Sequence, residues 1–175
     1  MKVSYLITGA ALMLVSAQSQ AKAEVEVVWE NPKEYRDVQP TMQSRAKFRE
    51  QTFKQLEEYI NELAESLPEG QKLSITVTNL DLAGQVWPSS FVGLGNSGNE
   101  VRVVKQIDIP RMSFSYTLTD AQGAVIQQAD EVNLKDMSFQ DRHNPFFRSE
   151  NLRYEKNMLR IWFNDEFPEL IANNG

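Results

Sequence analysis

The chain has 175 residues, with 18 Lys+Arg, 24 Asp+Glu, one His and no Cys. That length suits one domain, and 41% hydrophobic residues with 10% aromatics are too many for a disordered chain. A net charge of −6 argues against nucleic acid as a partner, and the absence of Cys excludes thiol nucleophiles, disulfides, zinc–thiolate sites and iron–sulfur clusters.

Residues 1–23 read as a cleavable signal peptide. Lys2 is the positive start, Leu6 to Val15 is a ten-residue apolar run, and Ala21-Lys22-Ala23 is the small-x-small pattern of a cleavage site. A membrane span needs roughly 20 apolar residues, and this run has half of that. Cleavage after Ala23 leaves 152 residues with 16 Lys+Arg against 24 Asp+Glu, a net charge of −8. Without Cys no lipid anchor is expected, and no later segment is apolar enough to cross a bilayer. The expectation is a periplasmic protein with residues 24–175 as a single domain.

Val25, Val27 and Trp29 alternate with glutamates and predict a short strand. A helix is predicted from about Ser44 to Leu67, with Phe48, Leu56, Tyr59, Ile60, Leu63 and Leu67 on one stripe and Phe53 on its flank; Pro68 and Gly70 stop it. Leu73, Ile75 and Val77 alternate with Ser74, Thr76 and Thr78, and Leu80 and Leu82 continue out of phase, so a bulge is expected near Asn79. Residues 83–99 hold four of the eight glycines and read as an irregular loop. Val101, Val103, Ile107 and Ile109 share one face of a further strand. Past Pro110 the phase flips, and Met112, Phe114, Tyr116 and Leu118 alternate with Ser113, Ser115 and Thr117. Asp120-Ala121-Gln122-Gly123 is a hairpin turn, returning as a polar strand over residues 124–134. Ser149 is a candidate cap for a last helix running to about Phe163, with Pro168 as a stop beyond it. The order β-α-β-β-β-α predicts an α+β fold: a mostly antiparallel sheet of about four strands with two helices on one face.

Few residues point to chemistry. His143 is the single imidazole and lacks any nucleophile motif to serve. Gly93-Leu94-Gly95 has neither the spacing nor the following helix of a phosphate loop. Asp136 and Asp141 suggest paired carboxylates or a calcium loop, but the loop's ligand count and glycine are missing. Trp87 and Phe91 sit in the glycine-rich stretch either as a binding lip or folded back on the core. Glu155 falls inside the apolar stripe of Leu152, Leu159 and Trp162, where a carboxylate needs a partner. Arg111, beside the phase flip, is the expected cation for a buried ion pair.

Several runs carry a resemblance. They are Val25 to Trp29 with Asn31-Pro32, Lys47-Phe48-Arg49 opening the first helix, and Ile75 through Gly84. Pro110 to Tyr116, Leu134-Lys135-Asp136-Met137 and Leu152 to Lys156 complete the set. Across nearly all of the mature chain it resembles a family of small exported proteobacterial proteins carrying a domain of unknown function. That resemblance implies no activity and no catalytic residues. The element order is also loosely similar to periplasmic accessory domains of transport or cell-wall machinery. The leading expectation is a non-enzymatic accessory or binding protein whose partner is a protein or envelope component, with no cofactor and no metal. A hydrolase would instead bring Asp81, Asp136 or Asp141 together in one pocket. A chaperone-like or inhibitor module would show an open sheet edge or an exposed aromatic patch.

Overall fold

A computed structural model describes residues 22–35, 37–95 and 98–172. Nearly all of the expected signal peptide, residues 1–21, lies outside the described residues. The elements in chain order are β1 (Glu24–Trp29), α1 (Arg45–Ala64), β2 (Lys72–Asp81), β3 (Gln85–Pro88), β4 (Glu100–Val103), β5 (Arg111–Thr119), β6 (Val125–Lys135), α2 (Arg153–Glu166) and α3 (Pro168–Ala172).

Four strands form the main sheet in the order β1-β2-β5-β6. The antiparallel pairs are β2–β5 and β5–β6, while β1 lies parallel to β2 and is joined to it through α1, as a parallel pair requires a crossover. Period-two patterning explains the sheet's two faces. Leu73, Ile75 and Val77 of β2 stand opposite Leu118, Tyr116 and Phe114 of β5, all buried, while Ser74, Thr76, Ser113, Ser115 and Thr117 alternate onto the other face. The register shifts between Val77 and Asn79, as the out-of-phase Leu80 predicts. At the β5–β6 turn Gly123 has φ +83°, and the Asp120 carboxylate accepts from the N–H groups of Gln122 and Ala124 at 2.9 and 2.8 Å.

Helices α1 and α2 cover the apolar face. Leu56, Ile60 and Ala64 of α1 and Leu159, Trp162 and Phe163 of α2 join the strand residues in one core. Ser44 caps α1 by accepting from the Lys47 N–H. Trp29 stacks on Phe53 with ring centroids 4.0 Å apart and donates its Nε1–H to Glu57 at 2.6 Å, which fastens β1 to the helix.

Four expectations are corrected. Residues 83–99 are not wholly irregular: they contain β3 and a 3-10 turn at Ser89–Val92. The strand expected over 101–109 is only Glu100–Val103, and it pairs with β3 in a separate two-stranded sheet. Helix α2 starts at Arg153 rather than near Ser149, with Leu152 at φ 57° before it and no side-chain cap. Helix α2 does stop before Pro168, at Glu166, but the expected two helices become three, because Pro168 opens α3, where its missing N–H costs nothing.

Candidate functional site

A cleft of about 810 Å³ opens beside the apolar core. One wall is the first half of α1, which presents Phe48, Gln51, Thr52 and Gln55. The end of β2 and the strand β4 supply Leu82, Ala83, Arg102 and Val104, and residues 148–155 at the start of α2 close the opposite side. The volume is that of a small-molecule site.

Arg102 is the keystone of one wall. Its Nη1 donates to Asp37 Oδ2 at 2.8 Å and to the carbonyls of Gly84 and Ala83 at 2.9 and 3.3 Å; Nη2 donates to the carbonyls of Asp37 and Gln39 at 2.9 and 3.1 Å. The planar fork of arginine makes such a multiple anchorage possible. Burial lifts the Asp37 carboxyl above its ordinary range despite the Arg102 bond, and the charges of Asp81 and Asp108 push the same way. Gly84 sits in this junction at φ +80°, where a Cβ would lie 2.6 Å from the Val103 carbonyl oxygen. Only glycine lets the chain leave β2 that closely against β4.

Glu155 lies at the cleft floor, 3% exposed. Its Oε1 accepts the Ala83 N–H at 2.7 Å. Burial raises its pKa, while the Ala83 N–H, its own N–H and the Arg102 charge act in the opposite direction. The expected pair with Arg111 does not form. Arg111 bonds Asp81 at 3.1 Å across the β2–β5 ladder, because its side chain alternates away from Met112 and the helices. A backbone N–H replaces the anticipated cation.

The remaining singled-out residues do not converge. Asp136 is buried, accepts the Ser138 N–H at 3.1 Å and lies 3.8 Å from Arg142 Nε; it lines a smaller hollow of about 230 Å³. Asp141 is exposed and accepts from Gln106 at 3.3 Å. His143 is exposed, and its carbonyl accepts from Asn157 at 3.3 Å. Trp87 is half-buried beneath Lys105, whose Nζ stands 4.9 Å from the ring centre, whereas Phe91 is 76% exposed. None of these five lines the larger cleft. Among the described residues no group of three or more His, Asp or Glu could hold a metal.

The sequence reading missed the cleft's own residues. Arg102 alternates between Val101 and Val103, a charge inside an apolar run. Gln51 and Gln55 form an uncharged break in the otherwise glutamate-rich outer face of α1. Both signals were present, but neither belongs to a recognised motif.

Fold and cleft together define an α+β domain with a side pocket built from one helix face and the start of another. The chain belongs to the family described as protein of unknown function, DUF3016, which it matches over residues 23–165. No curated protein and no solved structure matches it.

Proposed function

We propose that the chain is a periplasmic accessory protein of the cell envelope that binds a ligand in the 810 Å³ cleft without transforming it. The observation that carries this reading is the chemistry of the cleft wall: Gln43, Gln51, Gln55 and Asn151 face it with amides that bond no other side chain or backbone group among the described residues. Neutral amides donate and accept together and suit recognition rather than proton transfer. Asp81, Asp136 and Asp141, the acids a hydrolase would gather, stand apart from the cleft. No helix among the described residues is long and apolar enough to cross a membrane. Export is supported by the start of β1: Glu24, the first residue after the expected cleavage point, is already in the sheet region, its N–H bonded to the Gln71 carbonyl at 2.8 Å.

Thermal unfolding of the mature chain with a panel of envelope-derived oligosaccharides and short peptides tests the reading. At a hundredfold excess over Kd, a ligand adds about 2.7 kcal/mol, hence several degrees in Tm. At least one class should shift the native chain and fail to shift Gln55→Trp, which fills the cleft. Equal shifts in both proteins, or none in either, would overturn it. For location, the protein in osmotic-shock fluid should begin at Glu24; a chain retaining residues 1–23 in the membrane pellet would refute export.

Phe91 and Leu94, 76% and 65% exposed around the 3-10 turn, favour a second reading as a protein-docking module. Loss of partner binding in Phe91→Ser, with the cleft unaltered, would select it.

A further inference from the structure

We infer that the cleft's ligand is a short peptide segment ending in a free carboxylate, and that Arg148 and Arg153 hold that carboxylate. The inference rests on the cleft being the binding site and adds the class of its occupant.

Charge accounting within the cleft leads to it. Two acids and three arginines line the cavity. Glu150 is matched by Lys156 at 2.7 Å, and Glu155 is buried against the Ala83 N–H. Arg102 is consumed by Asp37 and the four carbonyls it clamps. Arg148 and Arg153 have no carboxylate partner among the described residues, and Arg153 Nε is buried with no acceptor at all. A guanidinium nitrogen buried without an acceptor is unfavourable and leaves the charge of its group uncompensated within the protein. In a chain with six more acids than bases, two unpaired cations in one cavity run against the global charge and focus an anion there. The arginine is also held ready: its guanidinium lies 4.7 Å from the centre of the Tyr154 ring, and Tyr154 is in turn braced edge-on by buried Phe139 at 4.8 Å. A carboxylate is the anion whose two oxygens match a guanidinium fork.

The body of the ligand follows from the other walls. Gln43, Gln51, Gln55 and Asn151 present the same C=O and N–H pair as a peptide bond and complement one. Acidic sugars would use the amides but not the apolar part of the lining, which Phe48, Leu82, Val104 and Leu152 supply. Amino-acid side chains are the natural occupants of such positions.

Two sources share this chemistry, the C-terminus of a protein and a free short peptide. The test uses an equimolar pool of random pentapeptides with free C-termini, the same pool amidated, and an oligogalacturonate as an acidic glycan. Retention on the mature chain is read by native mass spectrometry. The free-acid pool should be retained at least tenfold better than the amidated pool. Arg153→Gln and Arg148→Gln should each remove most of that difference, with Arg153→Lys restoring part of it, while Gln51→Ala should weaken both pools alike. A thermal melt of each variant guards against misfolding, and exposed Arg148 is the safer probe. Fusing a retained sequence to the end of a carrier protein separates the sources: binding of the carrier supports a protein terminus, and binding of the free peptide only supports a small peptide. Equal retention of free and amidated pools refutes the carboxylate. Retention of the oligogalacturonate in place of peptides refutes the peptide class while leaving the cleft as a site. No retention of any probe, with Gln55→Trp indistinguishable from the native chain, refutes the cleft as well.

Discussion

Glu155 shows how far a single side chain can be read before its neighbours are known. Its place inside an apolar stripe marks it as buried and in need of a partner, and both hold. The partner's identity was out of reach, because the Ala83 N–H is delivered by the chain leaving β2 and no residue type records it. The correction reverses the expected stability. A carboxyl whose pKa is raised in the folded state binds its proton more tightly there, so ionised Glu155 weakens the fold as pH rises above the ordinary carboxyl value of 4.5. Glu155→Gln keeps an acceptor for Ala83 and should be neutral near pH 4, then gain on the native chain as pH rises above the ordinary carboxyl value. Urea melts across that range measure the difference, and a flat difference would place the carboxyl in contact with water. Arg111, paired with Asp81 at the half-exposed end of the β2–β5 ladder, should lose no more than about 1 kcal/mol as Arg111→Met. Coupling between positions 111 and 155 should then be absent from a double-mutant cycle. Arg102 is the opposite case. Arg102→Met strands Asp37 and four carbonyls and should cost about 3 kcal/mol, and Arg102→Lys should recover little, since an ammonium cannot span the same fork.

Elements were legible where one periodicity ruled them. The stripe of α1, the alternation of β2 and β5 and the Asp120–Gly123 turn all survive, because each is set by residues adjacent in sequence and by one buried face. Leu56→Ala should accordingly cost about 2–5 kcal/mol in chemical denaturation, for its side chain is wholly enclosed. The small sheet of β3 and β4 was hidden for a reason of the same kind. Its strands are four residues each, their burial is mixed, and what joins them to the domain is long-range: the Arg102 anchorage and the close passage of Gly84 past Val103. Gly84→Ala should therefore cost at least about 2 kcal/mol, combining the left-handed φ with a contact that must give way. Hydrogen exchange should accelerate in residues 85–103 of that variant while β5 and β6 stay protected. The start of α2 was misplaced because Ser149 satisfies a capping rule locally, yet the chain turns through Leu152 before the helix begins.

For the molecule as a whole, the α+β class was recoverable from element order, whereas the cleft was not. Its walls come from α1, the β2 end, β4 and residues 148–155, which meet only once the sheet has brought them together. The sheet's connectivity also orders events in time. Strand β5 meets β6 across a tight turn, but β1 can find its parallel partner only after the whole of α1 has folded back over the sheet. Loop closure of that length is entropically slow. Val27→Ala should consequently hasten unfolding and leave the refolding rate nearly unchanged, a φ-value below about 0.3, whereas Val132→Ala in the hairpin should slow refolding. Until β1 docks, the backbone edge of β2 that it covers stands open to any passing strand.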